Sequence, residues 1–140
     1  MARRCRQVPV AARSAVLCLR FKRVLQQQGY TAGKQLSEQL SQRGGSQSAT
    51  LEPDQIGHVV HRVAGLPLIN ATCLPRSLTL YTLLRRAGYE PVLRIGAQPR
   101  EQARQQQTQM AHAWVEVEGT AVAERVEPFV TFRSDRAETP

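Results

Sequence analysis

Apolar residues recur at three- and four-residue spacing from the start of the chain. Val10, Leu17, Phe21, Val24 and Leu25 line up with Ser14 while Arg13, Arg20 and Arg23 fall on other faces, which predicts an amphipathic helix over residues 9–28. Gly29 follows where a helix commonly stops. Leu36 and Leu40 predict a short second helix over 31–42, and the Gly- and Ser-rich residues 43–48 a flexible polar linker. A third helix begins with Thr50 as N-cap, or with Pro53 in its first turn, and runs through Ile56, Val59, Val60 and Val63 to Gly65. After a loop at 66–70, a fourth helix spans about 72–87 and stops at Gly88. Leu74, Leu78, Leu80, Tyr81, Leu83 and Leu84 make it apolar over most of its circumference, so it belongs inside a core.

The period then changes from 3.6 to 2. Residues 91–97 read as a strand. The Gln- and Arg-rich stretch 98–109 carries no β signal and reads as a mobile loop beside a site. In 111–117, Ala111, Ala113, Val115 and Val117 alternate with His112, Trp114 and Glu116, the pattern of a strand with two distinct faces. Further strands are expected at 120–125 and 126–132, with 133–140 a tail. Helices followed by an antiparallel meander give an α+β fold, the N-terminal helices packed to one side of the sheet. With 140 residues, one domain is expected: a helical part at 1–48, a core at 49–132 and the tail.

Charge changes the picture at one end only. The net charge is +8, yet residues 1–43 hold nine basic residues and one acid, Glu38, while 44–140 hold ten of each sign. A basic surface attracts nucleic acid, anionic lipid or an acidic peptide, or is simply a solvated helix face. Aromatic residues make up 5%, too few for a base-stacking platform, so no nucleic-acid role is expected. The uncharged run at 14–19 is too short to span a bilayer, and Arg13 interrupts any signal-like stretch, so a cytoplasmic location without a membrane span is expected. Three cysteines, Cys5, Cys18 and Cys73, form no CxxC pair, and neither a disulfide framework, a metal nor a cofactor is expected.

Cys73 falls at the start of the buried helix, where free amides favour a thiolate. A thiolate needs a base, and His112 is the one histidine outside the third helix. A third group must hold the imidazole. If residues 117–119 form a three-residue loop, Glu116 pairs with Thr120 and His112 lies opposite Glu124 on the same face, within hydrogen-bonding reach. A two-residue turn at Glu118-Gly119 places Glu124 opposite Ala113 on the wrong face. The spacing is equally compatible with a buried core cysteine, a surface histidine and a solvated glutamate.

Two segments carry a resemblance. NATCLPRSLTLYTLLRRAGYEPVLRIGA (70–97) and AHAWVEVEG (111–119) resemble the C-terminal peptidase domain of the lasso-peptide B proteins: a Cys-Leu-x-Arg-Ser-Leu helix, a Leu-Leu-Arg-Arg-x-Gly ending and Ala-His-Ala-Trp-Val-Glu, in that order. The resemblance covers about 50–130. It implies a transglutaminase-like, papain-like cysteine peptidase fold and a Cys-His-Asp triad, carried here by Cys73, His112 and Glu124, with Glu replacing the usual Asp. It implies removal of the leader from a ribosomally made lasso-peptide precursor, before a separate ATP-dependent lasso cyclase closes the ring. It also implies a leader-recognition protein. A winged-helix recognition domain does not fit in this chain, so that protein is expected in trans, with the basic third meeting an acidic partner or leader.

Other residues carry two readings each. Arg76 docks the substrate or Glu124, or forms a structural ion pair. Trp114 shields the site or fills the core. Asn70 and Thr72 are candidates beside the Cys73 amide for an oxyanion hole. Asp54, His58 and His61 share a helix face, as metal ligands or as surface polar groups. Acyl transfer on the same fold and a non-catalytic peptide-binding module remain alternative functions.

Overall fold

In a computed structural model the chain is described over residues 2–43, 51–106, 111–126 and 129–136. Residues 44–48 of the expected linker (43–48) and the N-cap candidate Thr50 lie outside these residues, as do 107–109 of the expected loop and 137–140 of the tail; Arg43 ends the second helix. Four helices come first: α1 (Ala2–Gln28), α2 (Tyr30–Arg43), α3 (Pro53–Ala64) and α4 (Cys73–Arg86). Helix α1 begins seven residues earlier than its periodicity predicts. Glu52 caps α3, and its amide donates to Gln55 Oε1 at 2.9 Å, with Pro53 in the first turn where its missing N–H costs nothing.

Helix α4 is the hub. Leu78, Leu80, Tyr81, Leu83 and Leu84 are buried in one cluster with Leu17 and Phe21 of α1, Leu40 of α2, Ile56 and Val60 of α3, and Leu93 and Val115 of the sheet. The N-terminal third is therefore part of the same core. Its single acid, Glu38, docks α2 on α4: the carboxylate accepts from Tyr81 and Arg85 at 2.8 Å each and from Lys34 at 2.7 Å. Beside it the buried hydroxyls of Ser37 and Thr82 pair at 2.9 Å.

The sheet contains β1 (Pro91–Ala97), β2 (Ala111–Val117), β3 (Thr120–Ala121) and β4 (Val130–Arg136), in the order β3-β2-β1-β4 and antiparallel throughout. Strands β1 to β3 follow the expected meander. Strand β4 does not: it crosses back to pair with β1, and it occupies 130–136 rather than 126–132, so residues 133–136 belong to the sheet and not to a tail. Between β1 and β2, residues 100–106 form a helix, α5, where a loop was expected. Ala103 is its buried contact, too little apolar surface to leave a period in the sequence.

The β2–β3 turn also differs from expectation. Val117 pairs with Thr120 and Glu116 with Ala121, leaving a two-residue turn. Glu118 and Gly119 both take positive φ, 53° and 79°, as the twist-matched tight hairpin requires. Strand β3 stops after two residues. The amide of Val122 still bonds to the Val115 carbonyl at 2.9 Å, and Ala123 then turns left-handed at φ 58°.

Candidate active site

Cys73 is the first residue of α4, half-buried, after the N-cap residue Thr72. Because β3 is short, the strand edge beside Ala113 has no strand neighbour, and α4 supplies the partners. Ser77 donates its hydroxyl to the Ala113 carbonyl at 2.9 Å, and the Ala113 backbone hydrogen-bonds to the Cys73 thiol. Residues 73 and 77 lie one turn apart on the same helix face, so one strand residue fixes the helix start in place.

The thiol also hydrogen-bonds to the His112 ring. Burial opposes ionisation of Cys73, but the bonds from His112 and Ala113, with the charges of His112 and Arg76, outweigh it and hold the thiol below its ordinary pKa. The same bonds act on His112 in the other sense. Contact with Cys73, then with Glu124, raises its pKa to about 9 against the opposing effect of burial. The pair thus favours thiolate and imidazolium. Glu124 Oε1 holds His112 Nε2, leaving Nδ1 as the ring nitrogen for the thiol.

Glu124 reaches His112 by a route different from the expected one. The two-residue turn puts the strand register out by one, which on a continued strand turns Glu124 away. The left-handed Ala123 ends the strand and re-aims the chain, and the carboxylate returns to the imidazole. Helix α3 supports this bend. Asp54 Oδ1 accepts the Ala123 amide at 3.0 Å, so Asp54 is committed to the backbone; among the described residues no cluster of His, Cys, Asp or Glu is arranged to hold a metal. Gly57 faces the same segment: a Cβ there would lie 2.7 Å from Val122 Cγ1.

Aromatic rings cover the imidazole. Trp114 stacks on it with centroids 5.9 Å apart and planes 17° apart, and Phe129 lies at 5.0 Å. Trp114 is 2% exposed, and its ring crosses Gly96, where a Cβ would meet ring carbon Cη2 at 2.7 Å. Trp114 is thus packed in the core and stacked on the His112 ring. Phe129 lies just before β4, in a segment expected to be strand in another register, so nothing in the sequence marks it as a neighbour of His112.

Arg76, one turn into α4, points Nη2 at Glu124 Oε2 across 3.6 Å, and its buried Nε has no hydrogen-bond partner among the described residues. His61 Nε2 lies 3.5 Å from the same oxygen. Nothing in the sequence marks His61 as a neighbour of Glu124, since the contact depends on the Ala123 bend. His58 is exposed. Asn70 is exposed at φ 43°, and its carbonyl accepts from Lys22 at 3.2 Å. Among the described residues the structure does not bring the side chains of Asn70 or Thr72 into hydrogen-bonding contact with Cys73, His112 or Glu124.

A cysteine at a helix start, a strand histidine and a carboxylate are the parts of a nucleophilic acyl-transfer site. No curated protein and no solved structure matches the chain. A family model described as transglutaminase-like superfamily matches residues 15–134, a span that contains Cys73, His112 and Glu124 and all but the ends of the fold. Members of that family are typically cysteine peptidases or transglutaminases. By that match, which takes in the helical third as well as the sheet, the chain belongs to the transglutaminase-like superfamily.

Proposed function

We propose that the protein is a cysteine peptidase that removes the leader from a lasso-peptide precursor. The observation that carries the reading is the contact of the Cys73 thiol with His112 while Glu124 holds the other ring nitrogen. The motif resemblance of 70–97 and 111–119 to the lasso-peptide B proteins supports the choice of substrate.

In this reading the Cys73 thiolate attacks the carbonyl carbon at the leader–core junction. The tetrahedral oxyanion is met by amides at the α4 start. Those of Cys73 and Leu74 precede the first intrahelical bond, which Arg76 donates to Thr72 at 3.2 Å, and Pro75 has no N–H. His112 gives its proton to the leaving amine as the C–N bond breaks, leaving a thioester. Water, deprotonated by His112, then releases the acid and restores the thiol. Arg13, Arg20 and Arg23 are exposed on α1 and suit an acidic leader or a separate leader-recognition protein, ahead of the ATP-dependent cyclase.

The test is mass spectrometry of precursor incubated with the protein and its leader-binding partner. Cleavage at one bond by wild type and none by Cys73→Ala is expected. Cleavage by both would exclude Cys73 as the nucleophile. The family also includes acyltransferases; addition of a primary amine separates the readings, since a transferase yields the amide and a peptidase the acid.

A further inference from the structure

Glu124 has two carboxylate oxygens, and His112 uses one. The other faces α3 and α4, with His61 Nε2 at 3.5 Å and Arg76 Nη2 at 3.6 Å. His61 follows Asp54 by seven residues and Gly57 by four, so the three share one face of α3. All three meet the bend after β3. Asp54 takes the Ala123 amide, Gly57 admits Val122 and Ala123, and His61 faces the Glu124 carboxylate.

We propose that this face of α3 is the positioning platform of the active site, and that His61 is a positioning residue whose Nε2–H donates to Glu124, turning the other carboxylate oxygen onto His112. The proposal rests on the reading of Cys73, His112 and Glu124 as the reacting set. A glutamate's terminal torsion is soft, so a carboxylate held at one oxygen alone swings. Contacts on the second oxygen stop that rotation. Arg76 supplies charge, and His61 supplies direction.

His61 serves best as a neutral donor. Burial first, then the charge of Arg76, push its pKa down to about 4, with Glu124 opposing and His58 and His112 adding to the depression. These are the ionisable groups facing it from α3, α4, β2 and the bend. At neutral pH the imidazole that faces Glu124 across 3.5 Å is therefore neutral, and in the proposal it turns its Nε2–H to the carboxylate. A second imidazolium there would compete with His112 for the same carboxylate.

The test reads Cys73 itself and needs no peptide substrate. Alkylation of Cys73 by iodoacetamide is followed against pH by mass spectrometry of its peptide, in wild type, His61→Leu, His61→Gln and His112→Ala. Thermal melting checks that each variant is folded. The expected result is a midpoint raised in His61→Leu by about one pH unit, a tenfold loss of thiolate below it, and a near-wild-type midpoint in His61→Gln, whose amide can donate from a similar place. A His61→Leu midpoint equal to wild type overturns the proposal while leaving the active-site reading intact. A wild-type midpoint no lower than that of His112→Ala overturns both. If His61→Leu is unfolded, His61→Gln decides alone against Glu124→Gln: an intact midpoint in the first and a raised one in the second is expected, and a midpoint raised equally in both overturns the claim that an N–H donor suffices.

Discussion

Gly57 lies inside α3, where alanine ordinarily stabilises a helix by about 1 kcal/mol. Here the opposite sign is expected. A Cβ at this position would sit 2.7 Å from Val122 Cγ1 and 2.8 Å from Ala123 Cβ, against roughly 3.5–4.0 Å for ordinary carbon contact. The bend after β3 must therefore retreat by roughly 1 Å. Overpacking of this kind costs about 1–3 kcal/mol, so after the helix gain Gly57→Ala should lose between about zero and 2 kcal/mol. For a chain this size that lowers Tm by up to roughly 8 °C. Activity is the sharper readout. Glu124 follows Ala123 directly, and a displacement near 1 Å of a group that orients the base costs about 100-fold in rate. The assay is thermal unfolding alongside precursor cleavage. A Gly57→Ala protein more stable than wild type and fully active would refute the argument, because α3 would then not constrain the bend.

Three further outcomes are expected. Ser77→Ala should cost about 1–3 kcal/mol, since it leaves the Ala113 carbonyl at the strand edge without its 2.9 Å partner; denaturant unfolding measures it. His112, with its pKa raised to about 9, contributes stability that is fully present below its ordinary 6.5 and lost as pH rises through 9; His112→Ala should flatten the alkaline limb of Tm against pH, and an unchanged limb would contradict the paired state. Gly96→Ala should destabilise the fold and change Trp114 fluorescence, because its Cβ would meet the indole at 2.7 Å and the Val130 carbonyl at 2.9 Å.

The helical half of the molecule was largely legible. The apolar girth of α4 predicted its burial, and Cys73 sits at its start as its spacing before Leu74 and Pro75 implies. The alternation of 111–117 gave β2 its limits. The parts that were not legible depend on contacts between distant residues. Strand β4 alternates only over Val130 and Phe132 before the polar Ser134, Asp135 and Arg136, too short a pattern to set its register, which its pairing with β1 fixes. The Glu118-Gly119 turn lacks the Asn or Asp that marks a two-residue hairpin, and a three-residue loop looked equally good. Glu124 and His112 meet despite that, because Asp54, 69 residues earlier, holds Ala123 in a conformation that local sequence does not announce.

The order of these parts along the chain also governs when a reactive thiol first exists. During synthesis the helices emerge first and can collapse through contacts close in sequence, while Cys73 still has neither His112 nor Ala113 beside it. The buried surroundings of the helix start then disfavour the thiolate. Thirty-nine residues separate the thiol from its base, and the carboxylate arrives twelve residues later still. A chain ending before His112 would lack the His112 and Ala113 partners that lower the Cys73 pKa, so its thiol is expected to be less reactive than in the folded protein.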